Sequence, residues 1–154
     1  SITIPNSVTR IGEFALSDCD SLTQIVIAKG NSVYHSAGNC LIESKSKTLI
    51  AGCKSSVIPT DGSVTGIDDY AFYNCRNLTS ISIPSSVKSI GVAAFSGCSK
   101  LTSIIIPFSI VSIGVNAFGD WQSSQTIYCQ ATSQPNTWDS DWNYGCSAKI
   151  VWGA

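Results

Sequence analysis

Apolar residues along this chain recur at an interval much longer than a helical turn or a strand alternation. Leu78-Thr79-Ser80-Ile81-Ser82-Ile83-Pro84 returns as Leu101-Thr102-Ser103-Ile104-Ile105-Ile106-Pro107, 23 residues later. Ala71, Ala94 and Ala117 keep the same spacing, as do Phe72, Phe95 and Phe118, and Cys75 and Cys98. A fixed period of this length marks a stack of similar units, each unable to bury its apolar face alone. Within a unit, the run ending in Ile-x-Ile-Pro alternates as a strand does, and proline then stops the ladder. The following Ile-Gly-x-x-Ala-Phe-x-x-Cys is too short for a packed helix. It predicts an extended stretch closed by one helical or 3₁₀ turn, with Ala and Phe turned inward. One parallel strand per repeat follows.

Two interruptions change the picture. Ile58 to Ile83 spans 25 residues because Thr60-Asp61-Gly62 lengthens a turn, and Asp-Gly tolerates the backbone such a turn needs. Ile27 to Ile58 spans 31, so residues 28–57 form an enlarged, irregular repeat. There Cys40-Leu41-Ile42-Glu43 and Thr48-Leu49-Ile50-Ala51 flank the polar Ser44-Lys45-Ser46-Lys47. Two short apolar runs around a polar turn predict a β-hairpin projecting from the stack. Residues 1–125 thus read as about five coils, and residues 126–154 as a C-terminal cap. Trp138, Trp142 and Trp152 are suited to lid the final coil. The N-terminal coil has no such cover and is expected to self-associate.

Composition narrows the options. Charged residues are 12% of the chain, about half the usual ~25%, and Ser, Thr and Asn supply the polarity. A net charge of -1 gives nucleic acid or an anionic membrane nothing to hold. The longest apolar runs are too short to span a bilayer. The chain opens on Ser1 in mid-repeat and contains no Met, so it reads as a piece of something longer. The missing leader therefore says nothing of location.

The unit L-T-S-I-x-I-P-x-S-V-x-x-I-G-x-x-A-F-x-x-C resembles the BspA-type leucine-rich repeat, from Ser1 to about Ser124. The island and the C-terminal ending also resemble segments of such proteins from gut bacteria. The resemblance implies an α/β-type solenoid, mostly β: a right-handed coil with one parallel strand per repeat and short 3₁₀ or helical turns. It further implies an extracellular or cell-surface protein that adheres to host or bacterial proteins, with no shared catalytic residues. Leu16 in place of the usual Phe, and Ala28 in place of Pro, are ordinary degeneracies.

Residues able to carry chemistry are few. Cys19, Cys75 and Cys98 share one column and are expected to be buried free thiols, because strands ~4.8 Å apart hold side chains wider than the ~3.8 Å Cβ separation of a disulfide. Cys40–Cys53 flanks the hairpin and Cys129–Cys146 brackets the cap, and either pair is a candidate disulfide. A bridge across the cap would contribute about 3 kcal/mol. No Cys-x-x-Cys exists and His35 is the only histidine, so neither a zinc site nor a Ser-His or Cys-His apparatus is expected. His35 reads as a solvated loop residue. Asp68 and Asp69 are adjacent and face opposite ways on an extended chain. Asp139-Ser140-Asp141 opens like a calcium loop, but its twelfth position is Ile150 where that loop needs Glu. No enzyme, metal or cofactor is expected.

What remains is the outward side of the strands. One column reads Thr3, Val26, Val57, Ser82, Ile105, Tyr128, and another Ser1, Gln24, Ser55, Ser80, Ser103, Thr126. Gln24, Val26, Ser80, Ser82, Ser103, Ile105, Thr126 and Tyr128 form the candidate ligand face, since Val26, Ile105 and Tyr128 are apolar where water is expected. A protein ligand is the first expectation. A glycan stacked on Tyr128 and the cap aromatics, or a spacer without ligand, are the alternatives.

Overall fold

The computed structural model describes residues 1–154. Eleven short strands are present and no helix. They are β1 (Ile2–Ile4), β2 (Ile25–Ile27), β3 (Tyr34–Ala37), β4 (Cys40–Glu43), β5 (Thr48–Ala51), β6 (Gly66–Ile67), β7 (Ser89–Ile90), β8 (Ser103–Ile106), β9 (Ser112–Ile113), β10 (Thr126–Cys129) and β11 (Lys149–Trp152). The chain winds them into a mostly-β solenoid of about seven turns, against five expected. The extra turns were hidden in the degenerate island and in the C-terminal segment, where the consensus fades.

Each regular coil has two strand-forming sides, not one. On the first, β1 pairs with β2, and β8 pairs with β10, which pairs with β11, all parallel. Ser103, Thr126 and Lys149 stand opposite one another, so the 23-residue register continues into the segment read as a cap. On the second side β6, β7 and β9 pair in parallel through the Ser-Ile or Gly-Ile dipeptides that precede the turn. Two residues are too few to show alternation. They pair nonetheless, because Ile67, Ile90 and Ile113 are drawn into the core and carry their backbone into line.

The expected helical or 3₁₀ turn is replaced by a chain of β-turns. Tyr70 and Asn74, Ala93 and Gly97, and Asn116 and Asp120 all have positive φ. A left-handed residue at every fourth position ends any helical run. Alternate N–H groups then serve two ends. Tyr73 and Cys75 bond back to the carbonyls of Tyr70 and Phe72 within their own turn. Tyr70, Phe72 and Asn74 instead donate to Val92, Ala94 and Ser96 in the next coil, and Ala93, Phe95 and Gly97 donate to Val115, Ala117 and Gly119. The turn side is thereby a third backbone ladder.

Inside, Phe72, Phe95 and Phe118 stack with ring centroids 5.1 and 5.7 Å apart and planes 6° and 4° from parallel. Trp121 and Trp142 close the stack edge-on at 5.4 and 5.8 Å, and both are buried. Trp121 Nε1 donates to the Phe95 carbonyl at 2.9 Å. Gln125 is buried, and its Nε2 donates to the carbonyls of Cys98 and Leu101 at 3.1 and 2.7 Å. At the other end Gly52 lies on Phe72, where a Cβ would overlap the ring.

The island does not project. β3, β4 and β5 form an antiparallel meander whose last strand pairs in parallel with β6, extending the second side. β4 acts as a partition, because successive side chains on a strand point to opposite faces. Cys40 and Ile42 belong to the large core that runs to Trp142, whereas Leu41 joins Ile4, Ile25, Tyr34, Ala51 and Cys53 in a small core under the N-terminal coil.

That coil is attached differently. Its turn residues lie 56 positions before those they face, because the island supplies no turn of its own between them. Phe14 packs on Tyr70 at 4.1 Å and on Tyr73 at 5.6 Å. Arg76 reaches Asp18 at 2.8 Å and Asp20 at 3.4 Å. Asn77 donates to the Asp20 carbonyl at 3.2 Å. No backbone hydrogen bond joins the two turns, and a cavity of about 80 Å³ remains between them.

Candidate functional site

The first-side strands place six of the eight predicted face residues together. Ser80, Ser82, Ser103 and Ile105 line one groove of about 360 Å³. Thr126 stands opposite Ser103, and Tyr128 opposite Ile105. Ile105 is 56% exposed and Tyr128 37%. Val26 lies apart on the separate two-stranded sheet, facing Thr3 and half-buried, and Gln24 just precedes that strand. Strand alternation explains the exposure: Ile104, Ile106, Ile127 and Cys129 are buried, and the residues between them must face out.

One exposed apolar residue beside the groove is absent from the predicted face. Phe108, 74% exposed, follows Pro107 beside the groove, and its N–H is held by Gln130 Oε1 at 3.0 Å. Phe108 stands where other units carry Asn6 and Ser85, so a break in a polar column was the available signal. Val57, 69% exposed, lies in a column already identified. None of the residues lining the groove is charged.

Elsewhere the chemistry-bearing groups have structural roles. His35 is half-buried on β3, not in a loop, with Nδ1 2.8 Å from Ser44 Oγ. It is carried there because β3 pairs with β4, an extra strand that the polar residues around it concealed. Asp69 Oδ1 accepts the Val92 N–H at 2.7 Å and so joins two coils. Asp139 Oδ1 accepts the Asp141 N–H at 2.9 Å, which makes this acidic pair a turn. No three His, Cys, Asp or Glu side chains converge as metal ligands do.

The cysteine expectations need correction. Cys19 is exposed on the N-terminal turn, Cys75 is half-buried and Cys98 is buried. All seven thiols are free, so neither Cys40–Cys53 nor Cys129–Cys146 is bridged. Cys40 Sγ, in the large core, faces the Gly38 and Val57 carbonyls at 3.5 and 3.8 Å, whereas Cys53 Sγ, in the small core, faces the Asn39 carbonyl at 3.7 Å. Cys129 is buried on β10, and Cys146 sits in a turn. Burial pushes the Cys40 thiol up to about 11 and those of Cys75 and Cys129 up to about 12; it also raises Cys98 and Cys146. Thiols held protonated are poor nucleophiles, and here they act as small apolar groups.

Comparison with known proteins bears on this geometry. The family profile described as "BspA type Leucine rich repeat region" matches residues 1–50 and 46–147, in six copies. No curated protein matches the chain in sequence. A leucine-rich repeat protein from Eubacterium ventriosum is 26% identical, covering 97% of this chain and 41% of that one, with a TM-score of 0.75. The pneumococcal vaccine antigen PcpA shares the fold at 17% identity, 98% and 42% coverage and a TM-score of 0.68. A leucine-rich cell surface protein from Faecalibacterium prausnitzii is 25% identical over 99% of this chain and 48% of that one, with a TM-score of 0.56. This chain therefore spans less than half the length of these three proteins. No helix in it is long and apolar enough to cross a membrane.

Proposed function

Because the chain belongs to the BspA-type leucine-rich repeat family, we propose that it is a non-catalytic binding module of an extracellular or cell-surface protein. Its ligand face is the outward side of β8 and β10 with the adjoining groove. The observation that carries this reading is the exposed apolar pair Ile105 and Tyr128, opposite one another on β8 and β10, with exposed Phe108 just beyond β8, an apolar cluster facing water. The cell-surface description of the Faecalibacterium protein is in keeping with it.

A protein partner is favoured over a glycan. Trp138 and Trp142 are buried, their rings 5.2 Å apart in the lid, so neither of these cap aromatics is free to stack on a sugar beside Tyr128. The test is capture from epithelial or extracellular-matrix extracts with the native chain and an Ile105→Ser/Tyr128→Ala variant. Retained folding with lost capture is the expected outcome. Equal capture by both would place the ligand elsewhere, and selective glycan-array binding that depends on Tyr128 would favour the sugar.

A further inference from the structure

The first-side sheet is broken in the middle. The segments equivalent to residues 79–83 are paired in the coils at both ends: β1 with β2, and β8 with β10 with β11. In the 55–58 segment, Val57 N–H donates to the Gly38 carbonyl at 2.8 Å. Residues 79–83 make no hydrogen bond through their backbone to any other part of the chain. The adjacent side of β8 is unpaired as well, since β8 ends its three-stranded sheet. The carbonyls of Thr102 and Ile106 accept from Thr126 and Gln130 on the β10 side. By strand alternation, the N–H and C=O groups of Ser103 and Ile105 point the other way, into the groove. The coils are not separate there: β7 and β9 hold them together on the second side, so the groove is a wedge opened on one face only.

We propose that this wedge is a receptor for an extended, uncharged peptide segment, which pairs with the free edge of β8 and adds a strand to the sheet. The inference rests on the reading of this face as a binding surface and names its ligand class. Two features select the occupant. Unpaired strand edges are matched by a polypeptide backbone, whose donors and acceptors share their spacing. A lining without charge, made of residues 79–83, 102–105, Pro107 and Gln130, gives no counter-ion to acidic, basic or phosphorylated ligands. Ile105 and Phe108, both exposed, offer apolar contacts to alternate side chains of the bound strand.

The test is panning of random heptapeptides on phage against the full chain, then solution binding of the enriched peptide. A copy N-methylated at alternate residues should bind about tenfold more weakly or worse, since each lost backbone hydrogen bond is of that order. Ser103→Pro removes a groove-facing N–H and leaves the β10 pairing intact, so it should fold normally and lose a similar factor. Equal binding of the methylated peptide, unchanged binding by folded Ser103→Pro, or no enrichment over a blank surface would overturn the proposal. So would strong hydrogen-exchange protection of Ser103 and Ile105 in the free chain. If peptides fail while the face still captures folded proteins, only the ligand class is wrong.

Discussion

The coils from Gly66 onward and the coil before the island are built from one consensus, yet they are joined in different ways. Between the turns of Tyr70 to Gly119, each coil is tied to the next by backbone hydrogen bonds and by the Phe72–Phe95–Phe118 stack. The N-terminal turn meets the turn at Tyr70 only through side chains, Phe14 on Tyr70 and Tyr73 and Asp18 and Asp20 on Arg76, with no backbone bond and a cavity left between. A repeat sequence therefore specifies a coil, but neighbours specify how firmly it is held. Displacing one neighbour by an insertion converts a cooperative junction into a side-chain contact.

Alkali should strain this comparison most. The large core holds Cys40 with its thiol pKa pushed by burial to about 11, Cys75 and Cys129 to about 12, and Cys98 raised likewise. Unfolding lets these thiols ionise at their ordinary value, so the unfolded state binds fewer protons. Stability is thus full below that value and declines as pH rises from about 9 to about 12. Circular dichroism should show the melting temperature dropping across this window, and little change below it.

Phe95→Ala removes the middle ring of the stack and should cost about 3–5 kcal/mol. Leu16→Ala, at the corresponding half-buried position of the first coil, should cost well under half of that in urea unfolding. Equal losses would mean that both junctions share one cooperative core. Gly52→Ala places a methyl on the Phe72 ring and should cost about 1–3 kcal/mol. Gly12, which has nothing near its Cβ position, should accept Ala with a change within about 0.5 kcal/mol by thermal melting. The smallest effect is expected from Arg76→Ala. It deletes exposed ion pairs to Asp18 and Asp20, so hydrogen exchange should rise locally in residues 14–20, and high salt should mask the difference.

The period and its inward columns were legible in the sequence because identical apolar residues recur there. The left-handed turn positions were half legible. Asp18, Asn74, Gly97 and Asp120 tolerate positive φ chemically, but Tyr70 and Ala93 adopt it only because the next coil takes their N–H groups. The role of β4 as a partition could not be read, since Leu41 and Ile42 are both apolar and give no sign of facing different cores. The groove was equally hidden. Residues 78–84 carry the same motif as residues 101–107, differing at one position within it, and only the three-dimensional splay distinguishes them. Ile105 and Tyr128, apolar in an outward column, announced part of the face that borders the groove.

Residue-resolved hydrogen exchange on the free chain tests the account most directly. The amides of Phe72, Asn74, Ala93 and Phe95, which bond across coils, should exchange only with global unfolding. Those of Ser80, Ile81, Ser82, Ser103 and Ile105 should exchange rapidly although the stack surrounds them, as should those of the N-terminal turn. Uniform slow exchange through residues 79–83 and 103–105 would show a continuous sheet there, and would contradict both the open groove and the function built on it.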